Sequence, residues 1–159
     1  MPTLREDRDD LADLFHLYAF ALDKRRWDWL EQVFTEDAVM SFSGGEGELA
    51  GRDPIISMIR AFMDQCAATH HLIANHHATI DGDRAEAFCY VRAHHAAKGG
   101  EGRFEESLAS FTAQAVRTDA GWRFAAFHQD TAIALGDFGV FGIDPPAGVT
   151  MSGWAASAP

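Results

Sequence analysis

A chain of 159 residues with 47% hydrophobic content and twelve phenylalanines carries enough apolar material for one globular domain with a sizeable core. Its formal net charge of −11 repels phosphate backbones and anionic membrane surfaces, so nucleic acid is not an expected partner. The N-terminal ten residues are too charged for a secretory signal and no apolar run reaches membrane-spanning length. Cys66 and Cys89 stand in no metal or redox spacing, so a cytoplasmic protein without membrane contact is expected.

Over residues 3–22 the pattern is helical, with Leu11, Leu14, Phe15, Tyr18 and Leu22 recurring at spacings of three and four. Thr3 followed by Glu6 reads as a capping box, and Lys24, Arg25 and Arg26 suit the negative end of the helix. A short helix is predicted over 27–33 and a strand over 38–42. After a glycine-rich loop at 44–47, Asp53 and Pro54 read as cap and first residue of a third helix running through Ile55, Ile59, Phe62 and Met63.

Beyond Cys66 the apolar period changes from helical to strand-like. Residues 71–80, 84–95, 103–118 and 122–131 are strand candidates, with turn signals at Asp81-Gly82-Asp83 and Asp119-Ala120-Gly121. Helices first and an antiparallel meander afterwards indicate an α+β domain over 1–135, with a curved sheet wrapped against the helices. Residues 136–159 read as an irregular tail. Phe138, Val140, Phe141 and Ile143 could pack it over a cavity mouth or a neighbouring subunit, and a partly disordered terminus is the alternative.

Asp23 breaks a local rule: a carboxylate in the last helical turn faces the negative end of the macrodipole, at a cost of about 0.3–1 kcal/mol. Such a residue either serves function or is paired with Lys24 or Arg26 at the surface. In the first long strand, alternation puts His71, Ile73, Asn75, His77 and Thr79 on one face. In the next, Ala85, Ala87, Cys89, Val91, Ala93 and His95 share a small apolar face, so His95 ends a run of side chains that leaves room for a ligand. Whether His71 joins that cavity depends on the hairpin. An odd loop around Gly82 keeps odd-numbered residues of both strands together, and an even loop does not.

Tyr18 points inward, either as a core tyrosine or as a donor to an oxyanion. Asn75 and Ser110 are polar candidates for the cavity wall. His16, His76, His94 and His128 are read as structural or exposed. Adjacent histidines point to opposite faces of a strand and cannot chelate one ion, so no metal is expected. The chain carries no phosphate loop, nucleotide fingerprint or nucleophile elbow, which speaks against a nucleotide cofactor or a serine hydrolase.

Four segments, 17–23 followed by Trp27, then 34–39, 69–75 and 121–124, carry a resemblance to the SnoaL-like group of the nuclear transport factor 2-like superfamily, over about residues 10–136. The resemblance implies a cone-shaped α+β barrel of N-terminal helices on a strongly curved, mostly antiparallel sheet. Within the group the chain is most similar to scytalone dehydratase and hexachlorocyclohexane dehydrochlorinase, whose Asp–His dyad falls on Asp23 and His71. The dehydratase's second catalytic histidine falls on His95, and the oxyanion tyrosine of the more distant ketosteroid isomerases falls on Tyr18.

The dehydratase's two active-site tyrosines fall on Leu22 and Phe42, and the isomerase's aspartate base falls near Phe42. Both departures speak against scytalone dehydration proper and steroid isomerisation. The implied activity is cofactor-independent abstraction of a proton from carbon of a small, apolar, cyclic substrate, with Phe42 on the substrate wall and assembly as a homodimer or homotrimer. The alternatives are a non-catalytic ligand-binding or assembly domain of the same fold, and an aldol-type polyketide cyclase.

Overall fold

The computed structural model describes residues 3–43, 47–100 and 102–142. In chain order, α1 (Leu4–Lys24) is followed by a 3-10 turn (Trp27–Gln32), β1 (Phe34–Phe42), β2 (Leu49–Ala50) and α2 (Arg52–Met63). Then come β3 (Cys66–Asp81), β4 (Arg84–Ala97), β5 (Phe104–Thr118), β6 (Gly121–Gly136) and a closing 3-10 turn (Phe138–Phe141). From residue 143 on, the tail lies outside the described residues.

The sheet is α+β in its setting and open at both ends, in the order β2-β1-β6-β5-β4-β3. Every pairing is antiparallel except β1 with β6. The helices cover its inner face, and Phe15, Phe34, Phe111, Phe124 and Phe127 fill the space between as the largest fully buried side chains.

The α1 capping box forms as expected: the Thr3 hydroxyl accepts from the Glu6 amide and Glu6 Oε2 accepts from the Thr3 amide. The helix ends at Arg25, whose backbone is left-handed at φ 55°. A non-glycine residue there costs about 1–2 kcal/mol. The Arg25 amide recovers the end by donating to the carbonyls of Ala21 and Leu22.

The expected cap of α2 is corrected. Gly51, not Asp53, holds the cap position, and no side chain caps the helix. Gly51 sits at φ +95°, where a Cβ would stand 3.3 Å from the Pro54 ring, so the sequence requires glycine there. Asp53 and Pro54 fall inside the first turn, which Pro tolerates.

The β3–β4 hairpin resolves the question of facing. Asp81 pairs with Arg84, a two-residue loop that sets Ala78 opposite Ala87 on the inner face. Between Ala74↔Tyr90 and His77↔Phe88 the register shifts, with Asn75 at φ 57°. Two residues of β3, Asn75 and His76, stand against Cys89 alone, which is a bulge that reverses the alternation. Upstream of it Ile73 pairs with Val91 and His71 with Ala93, so the odd residues of β3 turn inward. Downstream, Asn75, His77 and Thr79 are exposed and do not share the face of His71.

Candidate active site

Between α1, α2 and the inner sheet face lies a cavity of about 230 Å³. Leu22, Met58, Phe62, Val91 and Phe111 give it apolar walls. Phe138 and Phe141 close one side, and Phe42 also lines it. His71, His95 and Tyr18 reach it from β3, β4 and α1.

Asp23 and His71 meet here. Asp23 Oδ1 lies 2.7 Å from His71 Nδ1, and the two side chains are 13% and 5% exposed. The carboxylate is heavily donated to: the Thr69 hydroxyl reaches Oδ1 at 2.9 Å and the His71 backbone amide reaches Oδ2 at 2.9 Å. Burial pushes the Asp23 carboxyl up, but the hydrogen bonds from the His71 ring, its amide and Thr69 outweigh burial and hold the group below the ordinary carboxylate value.

For His71 burial is the larger effect and pushes the imidazole below its ordinary value, against the opposing pull of Asp23. The pair is therefore an ionised carboxylate on a neutral ring. Asp23 fixes the tautomer by accepting a hydrogen bond from the Nδ1–H, which leaves the Nε2 lone pair as the basic site.

Arg25 braces this arrangement. Its guanidinium donates to Thr69 Oγ1 at 2.8 Å, to the Met63 carbonyl at 2.9 Å and to the Leu22 carbonyl. The same hydroxyl that takes a bond from Arg25 gives one to Asp23, so the end of α1, the end of α2 and β3 are tied around the carboxylate.

His95 is buried beside His71, with ring centroids 5.4 Å apart and planes at 83°. Its Nδ1 lies 2.6 Å from Glu105 Oε2, and the Ser107 hydroxyl donates to Glu105 Oε1. Phe141 packs edge-on against the His95 ring at 4.8 Å. Tyr18 is 4% exposed and its ring stands edge-on to Phe111. Burial pushes its phenol up, so the hydroxyl remains a proton-bearing donor.

Two expected wall residues lie elsewhere. The bulge leaves Asn75 exposed outside the cavity. Ser110 pairs with Tyr90 and Asp130 and belongs to the opposite face of the sheet, beside Leu72 and Leu108. Sequence reasoning missed Glu105, Ser107, Thr69 and Arg25. For Glu105 and Ser107 the signal was present: they share odd parity with Ala109, Phe111, Ala113 and Ala115, all buried, and that parity also excludes Ser110.

No helix among the described residues is long and apolar enough to cross a membrane. The chain spans about half the length of the curated relatives it matches, among them an uncharacterized protein of Mycobacterium tuberculosis that is 32% identical over 82 residues, or 51% of this chain and 55% of that one.

Among solved structures, a candidate aromatic ring hydroxylase from Novosphingobium aromaticivorans superposes with a TM-score of 0.78 at 27% identity, covering 87% of this chain and 99% of that one. A candidate scytalone dehydratase from the same species gives 0.74 at 16% identity, over 95% and 94% of the two chains. Hexachlorocyclohexane dehydrochlorinase LinA-type3 from Novosphingobium barchaimii gives 0.71 at 18%, over 87% and 94%. The last two likenesses are likenesses of fold alone, helices packed on a curled α+β sheet. Residues 4–128, from the first turn of α1 into β6, match the SnoaL-like domain, and the chain belongs to that family.

Proposed function

We propose that this protein is a cofactor-independent lyase or isomerase that removes a proton from carbon of a small, largely apolar, cyclic substrate. One observation carries the reading: the 2.7 Å contact between Asp23 and His71, whose ring lines a mostly apolar cavity. His71 Nε2 takes the proton. Asp23 holds the tautomer and stabilises the charge that the ring acquires. Tyr18 or His95 donates to the enolate oxygen or protonates the leaving group, in a site where few waters compete.

The volume supports the size of the substrate, because about 150 Å³ already accommodates benzene in a protein interior and this cavity is about 230 Å³. Phe42 lies on the wall that such a ring would touch. The fold likeness to a candidate dehydratase and a dehydrochlorinase agrees with loss of water or halide after the proton.

Assembly as a homodimer or homotrimer fits the exposed Leu72 and Tyr90 on the outer sheet face, and light scattering after gel filtration reads it. The same exposed pair on the outer sheet face suits a second reading, a non-catalytic assembly domain of the same fold.

Exchange of α-protons separates the two. Single-ring ketones such as cyclohexanone are incubated in D2O with the protein and followed by proton NMR. Wild type should accelerate exchange and His71→Ala should not. Wild-type exchange no faster than buffer, or exchange that survives His71→Ala, refutes the base assignment.

A further inference from the structure

The two imidazoles that line the cavity are held in the same way. His71 Nδ1 lies 2.7 Å from Asp23 Oδ1, and His95 Nδ1 lies 2.6 Å from Glu105 Oε2. Asp23 comes from α1, and Glu105 comes from β5, on the side of β4 away from β3. Each carboxylate occupies the Nδ1 edge of its ring, which leaves the Nε2 edges for the cavity that both rings line. An imidazole whose Nδ1–H is given to a carboxylate has a fixed orientation, a fixed tautomer and a more basic Nε2. Histidines that ligate metals carry this backing.

The spacing of the rings agrees with a shared ion. With a metal–nitrogen bond of about 2.0–2.1 Å, a ring centroid stands about 3.2 Å from the ion, and a tetrahedral angle then sets two centroids about 5.2 Å apart. The centroids of His71 and His95 are 5.4 Å apart, with planes at 83°.

Charge points the same way. Among the described residues neither carboxylate forms an ion pair with a lysine or arginine. Arg25 reaches Asp23 only through the Thr69 hydroxyl, and the second oxygen of Glu105 is taken by the Ser107 hydroxyl. Glu105 is 1% exposed. Buried charges are paired or coordinate metals, and a divalent ion between two neutral imidazoles balances both carboxylates.

We propose that His71 Nε2 and His95 Nε2 form a two-histidine site for a zinc ion; resting on the reading above, the bound ion switches proton abstraction off. Imidazole nitrogen suits zinc, whereas magnesium and calcium take oxygen ligands. Among the described residues no third His, Cys, Asp or Glu joins the pair in a group that could hold a metal, so two coordination positions fall to water. Two waters at about 30 Å³ each fit in a cavity of about 230 Å³. Phe42 lines the cavity and is 37% exposed, so the ion reaches the site from that side.

The ion makes and breaks no bond of a substrate. It displaces water and engages the lone pair with which His71 takes the α-proton, so zinc binding and proton abstraction exclude one another. Asp23 and Glu105 are positioning residues for the ion, because they act through the two rings.

The test is calorimetric titration of the full chain with zinc chloride at pH 7, and with magnesium chloride as the comparison. Wild type, His71→Ala, His95→Gln and Glu105→Gln are used, with His76→Gln as the control, since His16 and His76 are another close pair with centroids 4.8 Å apart. Wild type should bind one zinc per chain and no magnesium. Glu105→Gln should weaken zinc about ten- to a hundredfold, His71→Ala and His95→Gln should abolish its binding, and His76→Gln should stay within about threefold of wild type. Cobalt(II) in place of zinc should give the intense visible bands of a four-coordinate ion, and His95→Gln should lose them. Circular dichroism and Tm report the fold, and a variant that fails to fold leaves the comparison to the others. Absence of zinc binding, binding unchanged in Glu105→Gln and His95→Gln, or binding lost in His76→Gln overturns the site.

In parallel, α-proton exchange of cyclohexanone by wild type should stop at one equivalent of zinc and return when a chelator is added. Exchange that persists with zinc bound overturns the proposal, because an ion on His71 Nε2 leaves no lone pair to accept the proton. If wild type shows no exchange even without zinc, the proton-abstraction reading falls and the switch falls with it, while the titration and the cobalt spectrum still decide the ion site.

Discussion

Asn75 and His71 lie four residues apart on one strand yet face different surroundings: His71 lines the cavity and Asn75 is exposed. Regular alternation would put both on the same side. The left-handed backbone at Asn75, φ 57°, reverses the facing. Asparagine tolerates this conformation better than other residues with a Cβ, and a β-branched residue does not.

Asn75→Val should therefore cost about 1–2 kcal/mol, a fall of about 2–8 °C in Tm for a domain of this size. Asn75→Gly should change Tm little. Thermal melts of the two variants check this, and equal effects from both would show that the bulge does not depend on backbone conformation.

His71→Ala should remove α-proton exchange while leaving Tm within a few degrees. Asp23→Asn keeps the shape of the side chain but no longer enforces the tautomer, so the rate should drop about a hundredfold or more while ligand affinity changes little. Titration of a product-like cyclic enone alongside the kinetics separates the two quantities. Matching losses in rate and affinity would make Asp23 a structural residue.

Activity needs His71 neutral, and burial depresses its imidazole below the ordinary value of 6.5. The acid limb of kcat/KM should accordingly lie below pH 6.5, and Asp23, depressed as well, should already be ionised across that range. The same shifts bear on stability. A group depressed in the folded state contributes stability that is present above its unfolded value and is lost as pH falls toward its folded value. Urea midpoints should hold steady from pH 8 to 7 and then decline as the solution is acidified below 6.5, with Asp23 adding a further decline below its ordinary value of 3.8. In His71→Gln the first part of that decline should be smaller, the remainder coming from His76, whose imidazole burial also depresses.

Arg25 is held in a left-handed conformation at the end of α1 and ties Thr69 and the Met63 carbonyl to that end. Arg25→Gly relieves the backbone, since glycine is favoured at this cap position, and removes the tie. We expect a Tm near that of wild type with kcat reduced several-fold, because Thr69 is no longer fixed against Asp23. Arg25→Lys, which retains charge without the planar fork, should rescue only part of the rate.

The parts of the fold legible in the sequence are those with a strong period or a local chemical signature. α1 shows both, with an apolar stripe and the Thr3–Glu6 box, and β4 shows small inward residues in strict alternation from Ala85 to His95. The first residues of β3 were missed because Cys66 to His70 lacks β-branched and aromatic runs and owes its extension to pairing with the end of β4. The parallel contact of β1 with β6 joins segments far apart in the chain and leaves no local trace.

In the candidate site the dyad was proposed from Asp23, out of place at a helix end, and from its resemblance to known enzymes. The bulge that brings His71 to it rests on a single asparagine, which in a strand carries little signal. Glu105 could have been found, as an acid on the apolar parity of β5, but an adjacent Glu106 on the other face hides it in a charged run.

The parallel pairing of β1 with β6 also dictates the order in which the molecule can be completed. Phe34 meets Phe124, ninety positions further along, so in a nascent polypeptide the edge of β1 that does not pair with β2 has no strand to dock on until β6 has been made. The β3–β4–β5 meander can pair as it is synthesised, whereas closure around Phe34 waits for β6 and bears the entropic cost of a long loop. Until then the aromatic surface of β1 is open to chaperones, and substitutions at Phe34 or Phe124 should reduce cellular yield more than they lower the Tm of the finished protein.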